Sequence, residues 1–260
     1  MSAHTPGQLL FLLASAIAAG VMNALAGGGT LLTFPALLAA GVTPVAANAT
    51  SSLALAPGSF SAGWGYRREL GNYSGRMLTF LIVPSLLGGL LGAWLVTVAG
   101  DELFRRIVPA LILGSTLLFI LQEPLRHWRE RRMEEEQGPT LGDVHLWTLG
   151  FFQLVVSVYG GFFGAAIGIL MLAELGLVGL TNIHQMNGLK NFGAVCINGI
   201  AALYFAVGNL VRWPLAAVMA VGAILGGYFG AWLAQRLGQR TVRGVVIATG
   251  LGIGLYMLFR

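Results

Sequence analysis

The sequence predicts an all-α, polytopic integral membrane protein of two homologous repeats. Eight to ten membrane segments are expected, with glycine-broken helices near the start of each repeat. Three observations lead there: scarce charge, uncharged runs of spanning length, and a self-match between the halves. Of 260 residues, 56% are hydrophobic and 10% charged, and the mean hydropathy is +0.78. A soluble domain carries ~25% charged residues, so this chain is short of the ionic groups that would cover a soluble globule. Composition therefore names lipid as the solvent. The single cysteine, Cys196, excludes a disulfide scaffold. The 38 glycines follow no three-residue period, which excludes a collagen-like chain.

The elements follow in order. No charge precedes Arg67. At 1.5 Å per residue, the uncharged stretch Leu9–Tyr66 could cross ~30 Å of hydrocarbon about three times. The expected segments are Leu9–Leu25, a short Thr30–Ala40, and Ala46–Tyr66. A re-entrant Thr30–Ala40 would leave one crossing fewer. Met77–Gly100 fits one span. Ile107–Gln122 is short but usable, since flanking arginines can snorkel to the headgroups. Residues 1–122 thus form a first transmembrane repeat.

Residues 123–146 hold Arg126, Arg129, Arg131 and Arg132 among six acids, and read as a solvated cytoplasmic loop with room for a short helix. Residues 147–260 form the second repeat, with Asn191–Val211 and Trp213–Gln235 as clear spans and Gly244–Phe259 as a short one. The N-terminus lacks the basic start of a cleavable signal, and its apolar stretch is too long for one. The net charge of +5 sits in arginines at segment ends, where membrane topology explains it better than nucleic-acid binding.

The halves match when Gly88-Gly89-Leu90-Leu91-Gly92-Ala93-Trp94-Leu95 is laid on Gly226-Gly227-Tyr228-Phe229-Gly230-Ala231-Trp232-Leu233. In the same register Gly41 meets Gly179, Thr43 meets Thr181, Tyr66 meets Tyr204 and Arg105 meets Arg243. Internal repeats are the common plan of secondary transporters, with substrate held between them near the midplane. Five crossings per repeat would invert the copies, and four would leave them parallel. Inverted copies put Arg67, Arg68, Arg76, the central arginines, Arg236, Arg240 and Arg243 on one side. They leave Arg105, Arg106, Arg212 and Arg260 on the other. The positive-inside rule slightly favours that partition, with the central loop in the cytoplasm.

The candidate site begins at Gly27, Gly28, Gly29 and Thr30, ahead of Pro35. Each glycine costs about 1 kcal/mol of helix stability relative to alanine, and a broken helix inside a membrane is tolerated only where protein or water satisfies its backbone. Amides at the helix restart would point toward an anion. Close helix packing is the alternative, and it readily explains Gly88 with Gly92 and Gly226 with Gly230. Asn48, Thr50, Ser51 and Ser52 crowd polar groups into an apolar span. They form either a donor-rich pocket or a helix bonded back on itself. Their counterpart holds Asn187, Lys190 and Asn191, and Lys190 aligns with Ser52. A charge at membrane depth is by default functional; snorkelling, or pairing with Glu174, is the alternative. Glu174 is a candidate coupling carboxylate or a loop residue. No cluster has metal-ligand spacing, so no cofactor or metal is expected.

The run Gly27-Gly28-Gly29-Thr30-Leu31-Leu32-Thr33-Phe34-Pro35-Ala36-Leu37-Leu38, then Gly41-Val42-Thr43-Pro44 and Ala47-Asn48-Ala49-Thr50-Ser51-Ser52, resembles the sulfite exporter TauE/SafE family, also called the toluene sulfonate uptake permease family. Tyr66-Arg67-Arg68, Asn187-Gly188-Leu189-Lys190-Asn191 and Val211-Arg212-Trp213 are similar to it too. The likeness covers nearly the whole chain outside the central loop and is looser in the second half, where Gly164-Ala165-Ala166 is poorer in glycine. The resemblance implies a multi-pass transporter of the bacterial inner membrane for small sulfur-containing or organic anions, by export or uptake.

Together these observations predict a secondary transporter, not an enzyme. It would move a small anion such as sulfite, a sulfonate or a related organic acid by alternating access between the repeats. Its partners would be the bilayer, the anion and a coupling proton, with no nucleic acid; a homo-oligomer stays open. The rival readings are a passive anion channel and, further off, an intramembrane enzyme or assembly factor.

Overall fold

The computed structural model describes residues 5–25, 28–65, 74–135, 143–180 and 183–237, with 244, 247–248, 251–252, 254–256 and 258 near the C-terminus. These residues form helices joined by turns, with no strand among them. The helices are α1 (Pro6–Leu25), α2 (Thr30–Ala39), α3 (Pro44–Gly65), α4 (Gly75–Glu135), α5 (Asp143–Phe162), α6 (Ile167–Leu177), α7 (Ile183–Val207) and α8 (Trp213–Leu237). Among the described residues, α1, α4 and α7 each hold a stretch long and apolar enough to cross a membrane.

The long α4 is two arms. Gly100 (φ 67, ψ 175) breaks it, and the chain doubles back there. Gly92 lies against Val158 and Gly161 of α5, while Ser115 shares a 2.6 Å hydrogen bond with Tyr159 of the same helix. A straight helix would hold Gly92 and Ser115 roughly 34 Å apart. Asp101, next to the break, accepts a 2.9 Å hydrogen bond from the Val45 amide and so ties the turn to the start of α3. The second arm continues to Glu135, so much of the charged stretch expected as a loop is helical. Between Leu125 and Glu135 the sequence has no glycine or proline and is rich in Arg and Glu, both good helix formers.

The short helices end alike. After α2, Gly41 (φ 83) lets its own amide reach Leu38 O at 3.0 Å and the Val42 amide reach Leu37 O at 3.1 Å. After α6, Gly179 (φ 91) does the same, with Gly179 to Gly176 O at 3.1 Å and Leu180 to Leu175 O at 3.0 Å. This is the left-handed stop in which glycine avoids a Cβ clash. It also returns the chain at once, so α3 and α7 follow immediately.

Packing crosses between the halves. A Cβ on Gly226 would strike Ile17, and one on Gly222 would meet Leu13 and Ala16, so α1 and α8 run parallel in backbone contact. The first arm of α4 and α5 do likewise: Gly150 lies on Phe80, Gly88 on Leu154 and Ser157, and Gly92 on Val158 and Phe162. Small residues permit this approach where no hydrophobic force drives helices together in lipid. Between these pairs, α3 and α7 run antiparallel. Phe60 touches Gly199, and Thr50 Oγ1 accepts from the Arg212 amide, just beyond α7, at 3.0 Å.

The distribution of polarity is that of a membrane protein. Leu87, Val98, Phe151 and Val207 are 59%, 64%, 65% and 76% exposed, whereas Thr33, Asn48, Thr50, Ser51, Gln153 and Ser157 are fully buried. An apolar exterior this extensive would be an aggregation surface in water. Phe34, Phe104 and Phe163 meet edge to face at the centre of the main core.

Candidate functional site

The turn before α2 is built by Asn23. Its Oδ1 accepts hydrogen bonds from the Gly28 amide at 3.0 Å and the Gly29 amide at 2.7 Å. The amides expected to face an anion are therefore held by a side chain of α1. Gly27 lies outside the described residues. Gly29 sits so close to α1 that a Cβ would meet Ala19 O at 2.7 Å and Asn23 Oδ1 at 3.0 Å. Thr33, one turn into α2, donates to Gly29 O at 3.2 Å and shares a 2.6 Å hydrogen bond with Ser51 of α3.

The turn before α6 is built differently. Gly164 (φ 76) and Ala166 (φ 62) both adopt left-handed backbone. Tyr159 OH donates to Ala165 O at 2.8 Å. Among the described residues no side chain caps α6. The amides of Ile167 and Gly168 have no acceptor among the described residues. Every helix begins with amides that its own turns leave unbonded, and those carry the positive end of the helix dipole.

Both helix starts open on one cavity of about 590 Å³, within the range of small-molecule sites. The first half lines it with Asn23, Gly28, Thr30 and Ser52, together with Pro57 and Gly58 of α3. The second half contributes Gly164, Ile167 and Gly168, then Lys190, Asn191 and Asn198 along one face of α7. Gly20 of α1 and Ala223, Ile224 and Gly227 of α8 make an apolar wall. Lys190 is the one charged residue lining it among the described residues. No hydrogen bond or ion pair engages the side chain of Lys190, Asn191 or Asn198 among those residues. Donors left without protein partners at membrane depth are costly unless water or a ligand takes them.

The expected site residues thus fall into two groups. Gly28, Thr30, Ser52, Lys190 and Asn191 border the cavity. Asn48, Thr50 and Ser51 are buried between helices instead. Asn48 Nδ2 donates to Phe162 O at 3.0 Å, while its Oδ1 meets no donor among the described residues. Thr50 holds the Arg212 amide and Ser51 holds Thr33. The backbone of Asn187 lies in α7 and its side chain is outside the described residues. Glu174, on α6, is 2% exposed and away from the cavity lining. Neither carboxylate oxygen has a hydrogen-bond partner among the described residues, so it does not pair with Lys190.

Asn23 and Asn198 were not among the expected residues. Each left a trace in the sequence. Asn23 is a lone amide in the apolar run before the glycines, and Asn198 falls two helical turns after Asn191.

Known proteins were compared with this chain. The family model described as Sulfite exporter TauE/SafE matches residues 12–257. "Probable membrane transporter protein YfcA" of Escherichia coli is 32% identical over 97% of this chain and 89% of its own length. A "Probable membrane transporter protein" of Haemophilus influenzae is 29% identical, covering 88% of this chain and 86% of its own. A further relative from Sinorhizobium, also named as a probable membrane transporter, is 28% identical over 96% and 92%. No solved structure matches the chain.

Proposed function

Because the chain belongs to the sulfite exporter TauE/SafE family, whose members are membrane transporters rather than enzymes, we propose that it is a secondary transporter for a small anion. The substrate is sulfite, a sulfonate or a related organic acid, moved by alternating access across the bacterial inner membrane. The observation that carries this reading is the shared cavity. It faces two helix starts, one lysine and a set of amide and hydroxyl donors, and no acid lines it among the described residues. Helix amides and an ammonium both favour negative charge. The oxyanion sits between the unbonded amides at the start of α6 and Lys190.

Alternating access uses two inverted repeats, residues 1–122 and 147–260, joined by the charged segment 123–146. Several features support this reading. The order long, short, long, long recurs in α1–α4 and α5–α8. Gly41 and Gly179, paired by the self-match, carry the same left-handed stop. Gly88 packs on α5 much as Gly226 packs on α1. The antiparallel course of α3 and α7 favours inversion, because parallel copies related by an axis along the membrane normal would run the same way. Inversion corresponds to five membrane segments per repeat, with α2 and α6 as short crossings. The central segment is cytoplasmic and the C-terminus periplasmic. Glu174 is the coupling carboxylate: desolvated and without an acceptor-satisfying partner among the described residues, it can change protonation with each cycle.

The test is transport by purified protein in liposomes. Labelled sulfite or methanesulfonate should accumulate uphill under an imposed proton gradient, which a passive channel cannot do. Lys190→Ala should reduce that uptake by about tenfold or more, the effect of losing a charged hydrogen-bond donor. Wild-type uptake in Lys190→Ala would remove the charge role.

A further inference from the structure

We propose that Asn23 is a substrate-binding donor of the cavity, its carboxamide locked by the Gly28 and Gly29 amides so that Nδ2 faces the transported anion. The inference rests on the anion reading above and adds a residue to it. A carboxamide has one accepting end and one donating end. Backbone amides only donate, so the two bonds from Gly28 and Gly29 fix Oδ1 toward α2 at 3.0 and 2.7 Å. The opposite end of the group must then point away from the turn. Asn23 borders the cavity, and Nδ2 makes no hydrogen bond among the described residues. Two donors are thereby held at the cavity that Lys190, Asn191 and Asn198 also line.

The arrangement converts a backbone anion site into a side-chain one. Left alone, the Gly28 and Gly29 amides ahead of α2 could bind an oxyanion through the main chain, as amides at a helix start do. With Asn23 in place those two amides are taken by a neutral oxygen, and the cavity receives an amide NH₂ instead. The anion is thus coordinated asymmetrically: by a side-chain donor from the first half, and by free amides with an ammonium from the second. Because Asn23 belongs to α1 and the amides precede α2, the same side chain also ties the anion to the angle between those helices.

The two roles of Asn23, acceptor and donor, separate on substitution. Asn23→Asp keeps an oxygen for both glycine amides, and a carboxylate accepts from backbone N–H at least as well as a carboxamide does. It deletes the donating end and turns a negative charge toward the cavity. Asn23→Ala deletes both roles without adding charge.

The experiment measures uptake of labelled sulfite and methanesulfonate by proteoliposomes, alongside thermal unfolding in detergent. Asn23→Asp should unfold at the wild-type temperature or above, and should lose uptake of both anions by about a hundredfold, more than Asn23→Ala does. A purely structural Asn23 gives the reverse ranking, with Asp near wild type and Ala the poorer. That ranking in an active protein overturns the proposal and leaves the anion reading standing. A wild type inert toward both anions, with intact folding, overturns the anion reading itself and the Asn23 proposal with it.

Discussion

The turns before α2 and before α6 stand at corresponding places and differ in backbone and in chemistry. Both precede a short helix that ends on a left-handed glycine, and both face the same cavity. In the first, a side chain holds the amides ahead of the helix: Asn23 takes the Gly28 and Gly29 amides, and Thr33 is bonded to Ser51. The second is left open. Its helix starts at a left-handed alanine without a side-chain cap, its first amides have no acceptor among the described residues, and Glu174 lies buried on the helix that follows. One of the two turns is thus held by a side chain, and the other still has interactions to make among the described residues. The held turn can keep geometry, while the open turn can respond to what enters.

Substitutions at matched places break or sharpen that contrast. The largest effect is expected at Glu174. Glu174→Gln should abolish proton-driven accumulation while leaving counterflow exchange of labelled anion measurable; unchanged accumulation would return Glu174 to a packing role. Next is Gly164→Ala, which forces a side chain into left-handed backbone and sets its Cβ 3.0 Å from Gly160 O. It should lower stability by about 2 kcal/mol, read as a fall in the unfolding midpoint. Gly41→Ala and Gly179→Ala meet no such crowding at Gly41 but share the left-handed strain, and each should cost about 1 kcal/mol. Equal costs would show that the two stops are equivalent, whatever differs at the starts. The smallest effect should be a gain. Ala166→Gly removes a left-handed alanine (φ 62) and should stabilise by a few tenths to about 1 kcal/mol. A loss there would mean that the alanine methyl packs better than its backbone is strained.

The sequence carried the helices further than the site. The expected segments Leu9–Leu25, Thr30–Ala40 and Ala46–Tyr66 lie within a few residues of α1, α2 and α3, because glycine, proline and charge punctuate an otherwise uncharged run. The charged stretch was less legible. Mixed charges report solvation, and solvated residues can be helical, as α4 is to Glu135. In the site, Ser52 borders the cavity while Asn48, Thr50 and Ser51 knit helices together. Neighbours on a helix point about 100° apart, so a polar cluster cannot all face one space. Sequence gives the cluster, and only packing gives its face. Asn23 was missed for a related reason. Its role depends on a contact with Gly28 and Gly29 that exists only once the helix has turned back.

The parallel pairing of α1 with α8 sets a schedule for making the protein. α1 leaves the ribosome well before α8, yet the glycines it packs against, Gly222 and Gly226, belong to that helix. At ~5–20 residues per second, α1 waits on the order of ten seconds or more for its neighbour. During that interval lipid must cover a face that is later closed to it. The pair formed by α5 and the first arm of α4 has no such delay, since its two members are nearly consecutive. The contact between α5 and the first arm of α4 can therefore form before the contact between α1 and α8 does.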